Sequence, residues 1–136
     1  MTGALWEGRY RSTLIQDGIH LGRCLFYIDM NMVRAIGLRH PAEWKWSGHH
    51  ELVGRRRRYR MLDKDKLFKK LCCGSEEHFR EWYDATLDEN LRRREMSRES
   101  FWSEARAVGD YEFILKQAKR KDKKHIVETG CGLCYF

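Results

Sequence analysis

Apolar positions recur along this chain mainly at helical spacing. Over residues 18–35, Leu21, Cys24, Leu25, Ile28 and Met32 fall three and four residues apart, which predicts an amphipathic helix with that side buried. Asp17 is placed to cap its start, Gly37 to end it, and Pro41 to prevent its continuation. A second stripe of Phe79, Trp82, Tyr83, Thr86, Leu87 and Leu91 predicts a helix over about residues 75–94 packed on the core. Ser75 suits its N-cap, and Glu76 and Glu77 sit at the positive end of its dipole. Shorter helices are predicted over 63–71, from Ser97 or Ser100, and from Asp110 through Tyr111, Phe113, Ile114 and Ala118. The start of the chain differs: over 4–15, Leu5, Tyr10, Leu14 and Ile15 stand among polar residues, and although Trp6-Glu7-Gly8-Arg9 interrupts clean alternation, the β-branched and aromatic content predicts a strand, with a second short one near residues 126–127. Trp44 and Trp46 are expected to cover one end of the core, the other reading being that they stack on a base. The pattern as a whole predicts a mainly α chain with one or two strands, organised as residues 1–50, 51–118 and a basic tail, 119–136.

The polar side of the first long helix carries distinctive chemistry. Tyr27, Asn31 and Arg34 are spaced i, i+4, i+7 and line one stripe, which continues backwards to Arg23 and His20. A phenol, an amide and guanidinium groups together suit attack on a phosphodiester: the tyrosine as nucleophile, the arginines holding phosphate, the amide oxygen ligating a hard cation. A solvated helix face that happens to carry a tyrosine has the same pattern.

Context beyond the stripe narrows this choice. LWEGRYRSTLI is followed by YIDMNMVRAIG and then by HPAEWKWS. This order resembles the single-tyrosine HUH transposases, and within them the REP-associated tyrosine transposases, whose typical string reads YIELNPVRAGLV followed by P-x-x-Y/W-x-W-S-S-Y. Tyr27, Ile28, Asn31, Val33, Arg34, Ala35 and Gly37 sit on that pattern, as do Pro41, Trp44, Trp46 and Ser47. FWSEARAVGDYEFI, residues 101–114, is similar to the family's tail segment, with Gly109 and Phe113 in place. The resemblance spans roughly residues 3–115 in three blocks kept in order. It implies the C-terminal part of an α+β fold with an antiparallel sheet. It further implies that Tyr27 is a catalytic residue cutting single-stranded DNA, that Asn31 helps hold Mg²⁺ or Mn²⁺, and that single-stranded or hairpin DNA is the partner.

One family element is missing from this sequence. The family's metal site rests on a His-hydrophobic-His triplet, which strand periodicity turns to one face. None of His20, His40, His49, His50, His78 and His125 has a second histidine two places away. The chain therefore reads as the C-terminal portion of a longer transposase, with the first strand deprived of its partners and its exposed edge favouring pairing with another copy in a homodimer, poor order or poor expression.

Charge adds a second candidate surface. Lys and Arg number 27 against 20 Asp and Glu, a net charge of +7, which favours a polyanionic partner. The densest run is RRRRYR: Arg55, Arg56, Arg57, Arg58 and Arg60 around Tyr59. It reads either as a solvated loop or as a phosphate contact with Tyr59 stacking on an unpaired base. No apolar run is long enough for export or a membrane span, and five cysteines do not pair evenly, so a reducing cytoplasm is the expected compartment. Cys131 and Cys134 form a CGLC tail without a second ligand pair at zinc spacing. Three functions follow for the sequence: a tyrosine DNA transposase, a DNA-hairpin-binding remnant inactive alone, or a degenerate gene product.

Overall fold

The computed structural model describes residues 12–56, 58–93, 97–118, 126–129 and 132–135. Two compact units divide it, Asp17–Arg98 and Met1–Gln16 with Glu99–Phe136. The strand before the first long helix groups with the later chain because it pairs with a segment that follows the last helix of the other unit.

The Asp17–Arg98 unit is helical. It holds α1 (Ile19–Ile36), a 3₁₀ turn (Pro41–Glu43), α2 (His49–Leu52), α3 (Lys64–Lys70) and α4 (Glu76–Arg93). Helix α1 ends as expected at Gly37, which adopts φ 70° and donates its N–H to the Val33 carbonyl. Its start does not follow expectation. Gly18 holds the cap position with no side-chain cap, while the Asp17 carboxylate pairs with Lys70 at 3.0 Å. Asp63 caps α3 by accepting from Lys66 N at 3.1 Å, and Ser75 caps α4 by accepting from His78 N at 3.1 Å. His40 does the same for the 3₁₀ turn, its Nδ1 accepting from Ala42 N at 3.0 Å. Burial, with the nearby His49 ring adding to it, holds the His40 imidazole below its ordinary pKa, in keeping with an unprotonated acceptor.

Two apolar clusters form the core of this unit. One gathers Leu52, Val53, Leu71, Phe79 and Tyr83, with Leu21, Leu25 and Phe26 packed against it. The other gathers Met30, Val33 and Leu87. Phe79 and Tyr83 stack with ring centroids 5.3 Å apart, and Phe26 packs on Tyr83 at 5.2 Å. Burying each such side chain contributes about 1.5–3 kcal/mol. Helices α1 and α4 approach closely at Gly22, where a Cβ would lie 2.9 Å from the Trp82 ring.

The buried side of α1 takes in most of its apolar stripe, with Cys24 buried, Leu21 and Leu25 packed on the core and Met32 half-buried, but it is shifted at Ile28. Gly22, Phe26, Asp29 and Val33 share one stripe facing the core, whereas Ile28, expected inside, is 55% exposed. The displacement follows from Asp29, whose carboxylate accepts a hydrogen bond from the Tyr83 hydroxyl at 2.6 Å and pairs with His49 Nδ1 at 3.0 Å. A buried carboxylate must face its donors, and these stand on α4 and α2, so they fix the rotation of α1. Trp46 also departs from expectation: it is 69% exposed, with Lys45 Nζ over its ring at 4.6 Å, so it covers no core.

The second unit joins β1 (Leu14–Ile15), α5 (Phe101–Glu104), β2 (Ala107–Gly109), α6 (Tyr111–Ala118), β3 (Ile126–Thr129) and β4 (Gly132–Tyr135). The sheet order is β1-β2-β4-β3. Leu14 and Ile15 run parallel to Ala107 and Val108, while β4 is antiparallel to both β2 and β3. The first strand therefore has a partner, contrary to the expected orphaned edge, and the sheet is mixed rather than wholly antiparallel. Parallel pairing is possible because β1 and β2 are separated in sequence by the entire helical unit, not by a hairpin turn. The remainder of the expected strand, residues 4–11, lies outside the described residues. Asp110 caps α6 through Phe113 N at 2.8 Å and exchanges two hydrogen bonds with the Gln16 amide. Predominantly helical secondary structure thus holds, with four short strands among the described residues in place of one or two.

The Asp29 network gives two expectations. Asp29→Ala leaves His49 and Tyr83 without their acceptor and is expected to cost about 3–5 kcal/mol in urea unfolding, against about 1.5–3 kcal/mol for Tyr83→Phe. Burial, reinforced by the Asp29 charge, holds the Tyr83 phenol far above its ordinary 10.0. The folded state therefore keeps this proton where the unfolded state loses it, so the stabilisation is complete below about pH 10 and declines as pH rises beyond it. Thermal unfolding between pH 9 and 11 should show this decline in the unaltered chain and a weaker one in Tyr83→Phe.

A third expectation concerns α3. Cys72 follows its C-cap with φ 57° and donates to Lys69 O at 3.2 Å, while Cys73 N donates to Phe68 O at 3.0 Å. This left-handed position usually holds glycine. Cys72→Gly is expected to raise stability by about 0.5–1 kcal/mol, read as a higher urea midpoint.

Candidate nucleic-acid interface and tyrosine helix

Three of the stripe residues meet on α1. The Arg34 side chain runs back along the helix, as side chains tilted toward the N-terminus do, and lies over the Tyr27 ring with Cζ 4.3 Å from its centroid. Its Nη2 donates to the Tyr27 backbone carbonyl at 2.7 Å and to Asn31 Oδ1 at 2.6 Å. Tyr27 and Arg34 are half-buried; Asn31 and Arg23 are exposed. His20, expected at the end of this stripe, is buried at 7% exposure. The first turns of α1 are enclosed on several sides, since His20, Gly22 and Cys24 lie at different angles around the helix and all are buried. Burial pushes the Cys24 thiol up to about 11, so it is no reactive thiolate at neutral pH.

Asn31 does not fit the role of a divalent-metal ligand in this arrangement. Its amide oxygen already accepts from a guanidinium at 2.6 Å, so a second cation there meets a fixed positive charge and displaces a charge-assisted bond. Among the described residues no three His, Cys, Asp or Glu side chains are gathered as metal ligands. What the trio offers instead is an aromatic ring with a cation held over it.

The arginine run forms a second feature, on the loop between α2 and α3. Arg55, Arg58 and Arg60 are exposed, and Tyr59 is 89% exposed with φ 55°. Arg57 lies outside the described residues. Arg56, expected to contact phosphate, is turned inward: Nη1 lies 3.9 Å from the buried Glu51 carboxylate, and Nη2 donates to Ser47 O at 3.2 Å. The loop's amides are also placed, with Arg55 N and Arg56 N both donating to His50 O at 2.8 Å. Beyond it, Met61 N and Leu62 N donate to Glu51 Oε1 at 2.5 and 2.6 Å.

Comparison of the chain with family models, curated proteins and solved structures finds no match.

Two groups of structurally decisive residues escape the sequence pattern. Asp29 does leave a trace, because a carboxylate on the stripe of Gly22, Phe26 and Val33 requires buried donors. Glu51 leaves none, since its partners are backbone amides ten and eleven residues away. From the geometry of Asn31, Mn²⁺ titrations of the unaltered chain and of Asn31→Ala are expected to be superimposable by calorimetry. A saturable heat lost in the variant would restore the metal-ligand role.

Proposed function

We propose that this chain is a DNA-binding protein related to the REP-associated tyrosine transposases, acting on single-stranded or hairpin DNA. The observation that carries the reading is the displayed arginine loop: exposed Arg55, Arg58 and Arg60 around a nearly fully exposed Tyr59, in a chain of net charge +7. Guanidinium groups neutralise backbone phosphates, and an exposed ring stacks on an unpaired base, which duplex DNA does not offer. Tyr27, Asn31 and Arg34 support the relationship through their shared stripe and their contacts, and the motif blocks around them support it in sequence.

In this reading the chain binds without nicking by itself. The sequence contains no His-x-His pair, and the Asn31 oxygen is taken by Arg34. Tyr27 and Arg34 then serve as a stacked aromatic-cation platform on a rigid helix, suited to a base or a phosphate passing along α1. The alternative, enzymatic reading has Tyr27 as nucleophile with Arg23 and Arg34 on the scissile phosphate, and Mg²⁺ or Mn²⁺ held with groups from outside this chain.

Binding of a fluorescent single-stranded oligonucleotide, titrated across salt, tests the proposal. Neutralisation of about four phosphates predicts a log–log slope near −3. Replacing Arg55, Arg58 and Arg60 together by Ala should flatten that slope by about 2. Tyr59→Ala should weaken binding about tenfold at unchanged slope, the loss of one stacked base. No binding at low salt would falsify the DNA-binding reading. Incubation with hairpin DNA and Mn²⁺ should leave no covalent protein–DNA adduct; an adduct that vanishes in Tyr27→Phe would favour the enzymatic reading.

A further inference from the structure

We infer that Glu51 is the positioning residue of the arginine loop, its buried carboxylate fastening Arg56 on one side and the amides of Met61 and Leu62 on the other so that Arg58, Tyr59 and Arg60 are presented in one arrangement to a single-stranded nucleic acid. The inference rests on the DNA-binding reading and deepens it by dividing the arginine run into an anchor and a contact set. Glu51 is 4% exposed although it stands on a four-residue helix beside the arginine run. Its Oε1 accepts from two consecutive backbone amides at the far end of the loop, Met61 N at 2.5 Å and Leu62 N at 2.6 Å. Its Oε2 faces Arg56 Nη1 at the near end, 3.9 Å away, and Arg56 is fixed in turn by Ser47 O at 3.2 Å. The near end is further held by the two amides on His50 O.

One carboxylate thus closes the loop across ten residues. Bonds from N–H groups to a buried charged acceptor are the stronger kind, and they remove backbone freedom that binding would otherwise have to remove. Met61, 87% exposed, shows that the far anchor is made by the main chain and not by burying the side chain. Arg56 supplies no phosphate contact in this arrangement, since its guanidinium is half-buried and directed to Glu51 and Ser47.

The sign of the effect separates positioning from simple electrostatics. Deleting a negative charge should tighten binding to a polyanion if charge alone mattered. The clamp requires the opposite for E51A, which loses the acceptor, while E51Q keeps an oxygen for both amides. The experiment uses the full chain with a labelled oligothymidylate as probe, together with hydrogen exchange at the Met61 and Leu62 amides. For E51A the expected results are about tenfold weaker binding at unchanged salt slope and loss of amide protection; E51Q should stay within about threefold of the unaltered chain and keep protection. R58A should reduce the slope by about 0.7, whereas R56A should weaken binding without changing it. Binding by E51A equal to or tighter than that of the unaltered chain overturns the inference, as does equal amide exchange in the two. Should E51A fail to fold, R56A and R58A carry the test, and equal slope changes in both overturn it. No binding by the unaltered chain overturns the DNA-binding reading, and the display role with it. Intact binding with no difference among the Glu51 variants overturns the positioning role alone.

Discussion

The helical unit depends on how one buried carboxylate finds its donors. Asp29 sits on the core side of α1 with its side chain 3% exposed, where an unpaired charge would be prohibitive. Tyr83 from α4 and His49 from α2 converge on the same oxygen, Oδ2. That convergence leaves few ways to place the three helices. It sets the rotation of α1, draws the ring of Tyr83 between Phe26 and Phe79, and seats α2 against the core through a histidine that is 1% exposed. Hydrophobic burial supplies most of the favourable free energy, but it is tolerant of rotation; the hydrogen-bonded carboxylate is not.

The outward consequences follow from that seating. With α2 fixed, Glu51 is carried into the interior and becomes the fastening point for the loop that begins immediately after it. With α1 rotated to bring Asp29 inward, Tyr27, Asn31 and Arg34 turn away from the core, and Arg34 folds back over the phenol. Both candidate nucleic-acid surfaces are therefore set by buried carboxylates that do not themselves reach a ligand. A small unit with two modest apolar clusters holds a basic loop in shape by placing acceptors beneath it.

The stripe on α1 was legible because helical periodicity places i, i+4 and i+7 together whatever surrounds them, and Tyr27, Asn31 and Arg34 do meet. The same periodicity misplaced Ile28, for spacing counts apolar residues but does not know that Asp29 has donors waiting on two other helices. Arg56 and Arg58 look alike in RRRRYR, yet one is bound inward and the other exposed. The positions of the Glu51 carboxylate and the Ser47 carbonyl tell them apart.

Local elements follow from residues that are neighbours along the chain. Helix ends at Gly37, Asp63, Ser75 and Asp110 are dictated by cap chemistry within a few residues, and the buried run of Phe79, Tyr83 and Leu87 by spacing along a single helix. Tertiary structure alone decided the pairings between segments distant in the chain: β1 with β2, Asp29 with Tyr83 and His49, and Glu51 with the amides of Met61 and Leu62. The physical reason is common to all of them. Local structure is governed by groups that are neighbours in sequence, whereas the need to satisfy a buried polar group is met by whichever donor the fold delivers, and sequence spacing carries no record of that donor.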